Sequence, residues 1–436
     1  MTPEKRLKEL QKYIEEHPPI THAPLYYKSK NNQFPVYEIP LEFVVFNQFN
    51  GRIGSYIKTY EKENETLNAS NPDDERKIID FLWSSDVARN EKTLKDLEAK
   101  GQQQFGILTK DGVVIDGNRR CMLLKKLASK KKEGGYFQAI VLDETLDSNS
   151  KEIRRLETTY QMGVDEKADY KPIEKYLKCK DLINEGFTEA EIATFMNVDE
   201  STIKKYLGIL NLLEEYLESI ESEGLYTRLE QEKVEGPFVD LHNYLSRYNG
   251  EDGRIQGMNW NPDPPDIDDL KTIYFDYIRA GFRAASNIRF IGNTAKNKGA
   301  FTNEQIWKNF SKEHFDFVDS IKKKEKSVED MQEERPGESL IDIVKARDEK
   351  FVDNVKNDFK NKLNRTVHHI NSVADSGKPL ELTKRALNAL NSIDEDTPEF
   401  KSKEVQIIMD EIRKFSESRS RFLKKTLGPV NNYGHD

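Results

Sequence analysis

The chain has 436 residues, about one-third of them charged and 36% hydrophobic, with a formal net charge of −9. That length points to two or three domains, and that composition to a soluble, helix-rich protein; no apolar run approaches the roughly 20 residues of a membrane span. The acidic balance argues against indiscriminate coating of nucleic acid, because cations supply most of that affinity, but it leaves a local basic face open. The two cysteines, Cys121 and Cys179, have no metal-type spacing, and the charged N-terminus lacks the apolar core of a signal peptide, so a reducing cytoplasm is expected.

In chain order, residues 1–35 read as an amphipathic helix and an arm broken by Pro18, Pro19 and Pro24. VYEIPLEFVVF (36–46) reads as extended, and NQFNGRIGSY as a loop with Gly51 and Gly54 around Arg52. DERKIIDFLWSSD and EKTLKDLEAKG read as helices, the second ending at Gly101 as a C-cap glycine predicts. QFGILT and GVVID, separated by KDG, give a hairpin signal; a helix from about Asn118 to Lys132 and a strand, YFQAIVLDE, follow. A mixed domain therefore spans 36–150, and beyond Lys151 no strand is expected. The remainder divides into a helical domain (151–246), a mixed helical segment (247–323), a linker (324–340) and a C-terminal helical domain (341–436). In that last domain Val352, Val355, Phe359, Leu363, Val367, Ile370 and Val373 share one helix face, as core or as an oligomer interface. The fold class is α+β.

DGVVIDGNRRCMLLKKL (111–127) carries the most chemistry. A strand hands over to a helix at Gly117, and the N–H groups of a first helical turn lack internal partners. Glycine allows close backbone approach, and Arg119 and Arg120 add permanently charged planar donors. Together these suit a phosphate. The plainer reading is a surface hairpin running into a helix whose arginines face water.

The order of these pieces resembles the ParB family, whose N-terminal domain is related in fold to sulfiredoxin. The resemblance covers roughly residues 36–215, through YEIPLEFVVFNQFNGRI and LKDLEAKGQQQFGILTKDGVVIDGNRRCMLL. It implies a nucleoside triphosphate, CTP or ATP, held by Gly117, Asn118, Arg119 and Arg120, with Arg52 from the earlier loop and Gln104 and Thr109 beside the hairpin's first strand. Asn118 stands where many members have Glu, and Asn50 where many have Gln; Gly51 replaces a common Pro. The family's Glu-Asn-x-x-Arg motif, which serves metal and triphosphate, aligns with LETTYQMG. Glu157 matches and is the implied metal ligand, for Mg2+, and with Asn50 the implied catalytic residue. Thr158 and Gln161 replace the Asn and the Arg, leaving nucleotide identity, metal dependence and hydrolysis open.

FTEAEIATFMNVDESTIKKYLGILNLL (187–213) has helix-turn-helix spacing, with Thr188 and Glu191 as a capping box. Ser201, Thr202, Lys204 and Lys205 would face double-stranded DNA. Four acids (Glu189, Glu191, Asp199, Glu200) against two lysines leave this stretch at −2, so packing without DNA stays open beside DNA contact. Lysines 125, 126, 130, 131 and 132 form a second strip, ordinarily a solvated face. His368 and His369 are adjacent and poorly placed to share a metal, Cys121 reads as a buried thiol rather than a nucleophile, and the three tryptophans are scattered.

The expectation is a ParB-like, nucleotide-binding, DNA-associated homodimer that works as a conformational switch or clamp, with a weak NTPase activity left open. One rival is a phosphoryl-transfer enzyme or nuclease using Glu157 and Asp116. Another is an interaction protein that has lost its nucleotide.

Overall fold

A computed structural model describes residues 1–28, 30–47, 50–145, 150–163, 170–248, 258–283, 285–293, 299–374 and 379–427. The fold is α+β, with five strands in the N-terminal region and helices after them. α1 (Pro3–Glu16) starts at the cap Thr2, and the strands are β1 (Thr21–Tyr27), β2 (Lys30–Pro40), β3 (Gly106–Leu108), β4 (Val114–Asp116) and β5 (Tyr136–Val141). Their order is β1-β2-β5-β3-β4, antiparallel except that β3 and β5 run parallel.

Between β2 and β3 lie α2 (Gly54–Glu61), α3 (Pro72–Ser84) and α4 (Val87–Lys100). α5 (Asn118–Lys131) crosses from β4 to β5 and stops where Lys132 turns left-handed. Ile39, Leu108, Val114, Phe137 and Ala139 pack on one sheet face with Leu10, Ile78, Leu97 and Leu123 from the helices. Val36, Ile107, Ile115 and Ile140 pack on the other with Ile153 and Leu156 of α6 (Ser150–Thr158). Two apolar faces, each covered by helices, hold a short-stranded sheet in place.

The sheet starts earlier than expected. Residues 21–35, read as an arm, form β1 and the first half of β2, paired from Thr21↔Val36 to Tyr27↔Lys30. Pro24 is tolerated because β1 is an edge strand, where a missing N–H costs no ladder bond.

After a π turn at Thr159–Gly163 come α7 (Pro172–Asn184), α8 (Glu189–Met196), α9 (Glu200–Ser219), α10 (Tyr226–Glu232) and α11 (Glu235–Tyr248). Part of the Gly/Pro-rich break, 249–257, lies outside the described residues. Then follow α12 (Pro264–Arg279), α13 (Ala285–Gly292), α14 (Glu304–Lys322), α15 (Val328–Glu334) and α16 (Leu340–Ala374). The expected linker 324–340 is packed instead: Val328 and Met331 of α15 are buried with Leu225, Ile343 and Val344. The stripe on α16 is core over Val355, Phe359 and Leu363, Phe359 stacking on Tyr277 at 4.5 Å; the side chain of Val373 lies outside the described residues.

Contacts divide the chain into two units, Met1–Val367 and His368–Asp436, rather than at 341. The second contains α17 (Pro379–Asn391) and α18 (Lys403–Leu427), which bury no residue and expose Leu380, Ile407, Phe415 and Phe422. Among the described residues no helix is long and apolar enough to cross a membrane.

Candidate functional site

The strand-to-helix turn is built around Phe137. Gly117 sits at φ +99°, in the left-handed region, and a Cβ there would come within 2.8 Å of the Phe137 ring. On the neighbouring strand, a Cβ on Gly106 would come within 2.2 Å of the same ring. Only glycine meets both demands at 117, of backbone angle and of space. No side chain caps α5, so its first-turn N–H groups, with the positive end of the helix dipole, point outward from the turn.

Beside that turn three guanidinium groups converge from separate segments: Arg52 from the loop before α2, Arg89 from the first turn of α4, and Arg119 from α5. Burial lowers the Arg119 pKa to about 10, and the Arg52 and Arg89 charges push it the same way. Asp86, the N-cap of α4, opposes them weakly; its Oδ2 is 3.5 Å from Arg119 Nη2, and its Oδ1 accepts from Arg89 N. The Arg119 side chain is only 13% exposed. Arg52 lies over the Tyr170 ring at 4.5 Å, and the Tyr170 hydroxyl donates to Gln161 Oε1 at 2.9 Å. Gln161 Nε2 in turn donates 2.7 Å to the Ile115 carbonyl of β4. A cation with so little opposing charge in a half-buried place is one that an anion would stabilise.

Arg120 does not join this group. Its Nη2 is 2.9 Å from Asp116 Oδ2 and its Nη1 donates 2.7 Å to the Gln104 carbonyl, which clamps the start of β3 to the turn. Expected as a phosphate contact, it is already neutralised; Gln104 contributes that carbonyl and, more weakly, its side-chain oxygen at 3.4 Å. Thr109 belongs to the other end of β3. It is buried, donates 2.7 Å to Asp111 Oδ1 and accepts from Val113 N, so it shapes the hairpin. With Ile107 paired to Asp116 and Leu108 to Val114, the hairpin register puts Thr109 away from Gly117.

Asn118 is buried next to the turn, its Oδ1 without a hydrogen-bond partner and its Nδ2 reaching the Val114 carbonyl at 3.5 Å. Asn50 is also buried; its Oδ1 accepts from Arg52 N at 2.9 Å and its Nδ2 has no partner. By fixing the loop at Arg52, Asn50 acts on the site from behind it.

Glu157 is fully buried and saturated. Lys178 Nζ lies at 2.9 Å, Arg154 Nη1 at 3.3 Å, and Asn47 Nδ2 donates at 3.0 Å. Two cations on one carboxylate do not make a Mg2+ ligand, which needs its oxygens for the metal. Among the described residues no group of three or more His, Cys, Asp or Glu side chains could hold a metal ion. The donor set does not fit the expected metal, and Glu157 does not fit the expected catalytic role. Thr158, next to it, back-bonds to the Arg154 carbonyl.

The 187–213 stretch forms α8 and the start of α9, with the Thr188–Glu191 capping box in place. One member of its DNA-facing set, Lys204, is drawn to neighbouring acids. Lys204 is 2.8 Å from Glu200 and 3.6 Å from Glu189, Ser201 is exposed, Thr202 and Lys205 half-buried. Cys121 and Cys179 are buried thiols whose pKa values burial pushes up to about 12.

Arg89, Asp86 and Tyr170 escaped the sequence reading. Asp86 is legible as a helix cap, but nothing local brings Arg89 to Arg119, and Tyr170 is placed by tertiary packing. The chain matches no protein-family model and no curated protein.

Proposed function

We propose that the chain binds a nucleotide by its polyphosphate at the Arg52–Arg89–Arg119 corner and the open start of α5, in the manner expected of a ParB-like domain. The observation that supports this best is the convergence of positive charge on a largely buried cation: Arg52 and Arg89 both act on the Arg119 guanidinium, whose contact with Asp86 is long at 3.5 Å. A polyphosphate would answer the Arg119 charge through several oxygens at once.

Binding ties together three segments, the loop before α2, the start of α4 and the start of α5. A ligand that favours their closed arrangement shifts the protein toward it, and this is the physical basis for a nucleotide-dependent switch. Turnover has weaker support. Glu157 is held by Lys178 and Arg154, and Asp116 by Arg120, so neither carboxylate is poised as a base. DNA association has weaker support again, because Lys204 is spent on Glu200 and Glu189.

Calorimetric titration of the full chain against the four ribonucleoside triphosphates, tripolyphosphate and the parent nucleosides tests this reading. Heat is expected with at least one triphosphate and none with the nucleosides. Absence of heat with every triphosphate and with tripolyphosphate leaves a protein that kept the scaffold without the ligand.

A further inference from the structure

The second unit ends in α18, a helix that buries none of its residues. Its sequence is nevertheless not that of an ordinary solvated helix. At about 100° per residue, Val405, Ile408, Ile412, Phe415, Phe422 and Leu423 fall on one face, within about 100° of its circumference. Four of them stand well out in solvent: Ile408 is 55% exposed, Phe415 63%, Phe422 64% and Leu423 53%. Aligned apolar side chains of this size, left in water, mark a surface that meets another body.

The same helix is basic in its second half. Residues 413–427 hold six cations, Arg413, Lys414, Arg419, Arg421, Lys424 and Lys425, against one acid, Glu417, in a chain whose net charge is −9. Glu417 is shared between Arg413 at 3.2 Å and Arg421 at 3.3 Å, and Asp410 lies 3.5 Å from Arg413. These pairs leave Lys414, Lys424 and Lys425 without an ion-pair partner among the described residues. Of the six cations only Arg419 falls within the apolar arc, and its guanidinium lies 5.1 Å over the Phe415 ring. Its stem runs along the apolar face while its charge stays at the edge, as long cationic side chains do between oil and water.

Whatever covers α18 has to meet two demands at once, an apolar medium for the rings and negative charge for the cations. Duplex nucleic acid answers the cations and leaves Phe415 and Phe422 in water. A second copy of the helix covers the rings but brings six further cations, with only Glu404, Asp410 and Glu411 in the first half to answer them. An anionic phospholipid surface answers both, with acyl chains for the rings and headgroups for the charge. A helix is about 10–12 Å across and the Debye length is about 10 Å at 0.1 M salt, so even the cations turned away from the rings feel the headgroups. A helix with one apolar face and one basic face lies along such a surface; α18 is not apolar enough to cross it.

We propose that α18 lies flat in the surface of an anionic phospholipid bilayer, with Phe415, Phe422 and Leu423 among the acyl chains and the cations of 413–427 at the headgroup phosphates.

Flotation of the full chain with vesicles tests this, using phosphatidylcholine alone and equal parts of phosphatidylcholine and phosphatidylserine. The chain is expected to float with the serine-lipid vesicles, to bind about tenfold or more weakly to phosphatidylcholine alone, and to be released as salt is raised. Phe415→Ser/Phe422→Ser and Lys424→Glu/Lys425→Glu are each expected to lose binding by about tenfold or more. Both variants should keep the wild-type thermal unfolding, since none of the four side chains is buried. No flotation with the serine-lipid vesicles, equal flotation with phosphatidylcholine alone, or binding that the phenylalanine variant leaves unchanged would overturn the proposal. If flotation fails, a dimer lost in the phenylalanine variant assigns this face to a second copy, and duplex DNA retention lost in the lysine variant assigns it to nucleic acid. No nucleotide enters the measurement, so its failure leaves the nucleotide reading untouched.

Discussion

Two groups of arginines in this molecule differ in burial and in how their charge is answered, and the second difference bears on function. Arg228, Arg279 and Arg347 surround Asp348 in the helical region, with Glu232 and Glu325 completing the set. Burial alone would lower the pKa of Arg228 and Arg279, but Asp348 and the glutamates raise both above the ordinary arginine value. Asp348 is itself held low by Arg228, Arg279 and Arg347 in spite of its burial. At Arg119 burial acts in the same direction, Arg52 and Arg89 add to it, and the Asp86 carboxylate opposes it without restoring the ordinary value. A matched set is finished as it stands; Arg119, with Asp86 only at 3.5 Å, has room for a ligand. Residue type is alike in the two places, but Arg228, Arg279 and Arg347 are buried whereas Arg52, Arg89 and Arg119 are half-buried, so the corner is also the more accessible of the two.

The largest expected effect tests the matched side. Arg279→Ala leaves Asp348 and Glu325 short of a cation, and removing one partner of a buried pair costs about 3–5 kcal/mol. Chemical denaturation is expected to show that loss, whereas Arg119→Ala, which relieves like-charge crowding, should leave the unliganded protein within about 0.5 kcal/mol of wild type or more stable. An equal loss in both variants would erase the distinction.

Glu174 applies the same reasoning to a carboxylate. Burial raises its pKa to about 8; Glu230 adds to the shift, and hydrogen bonds from Ser55 oppose it. The nearest cation, Lys171, is taken by Glu230. Because the folded pKa lies above the ordinary glutamate value of 4.5, the folded state holds, between the two values, a proton that the unfolded state has lost. This stabilisation is complete below pH 4.5 and gone once the pH passes about 8. Stability should therefore fall across that window by on the order of 5 kcal/mol, and Glu174→Gln should flatten the curve. A variant that keeps the wild-type slope would place the titrating group elsewhere.

The smallest effect concerns support for the unmatched side. Tyr170→Leu removes the ring beneath Arg52 and the hydroxyl bonded to Gln161. A cation–π contact contributes about 1 kcal/mol, so triphosphate affinity should drop by about fivefold. No change would mean that Arg52 is positioned without the ring.

Much of this was readable from local signals. Gly117 announced the turn because its φ and the Phe137 ring both require glycine, Gly101 ended α4 as a C-cap, and Thr188 with Glu191 marked the start of α8. The limits are equally local. Three prolines near residues 18–24 read as breaks, but an edge strand tolerates Pro24. Arg119 and Arg120 are neighbours in sequence with opposite fates, because Asp116 four residues before Arg120 reaches it along the helix while Arg119 turns toward α4. Glu157 kept the residue type of a metal ligand, and only the fold brings Lys178 onto it.

That divergence between neighbours gives the most direct test. Thermal unfolding of wild type, Arg119→Ala and Arg120→Ala is followed with and without saturating tripolyphosphate or the triphosphate that binds best. A ligand bound only by the folded state, at about 100 times its dissociation constant, stabilises by about 2.7 kcal/mol. That stabilisation should persist in Arg120→Ala and vanish in Arg119→Ala. If Arg120→Ala abolishes it and Arg119→Ala retains it, the Arg52–Arg89–Arg119 corner is not where the phosphate is held.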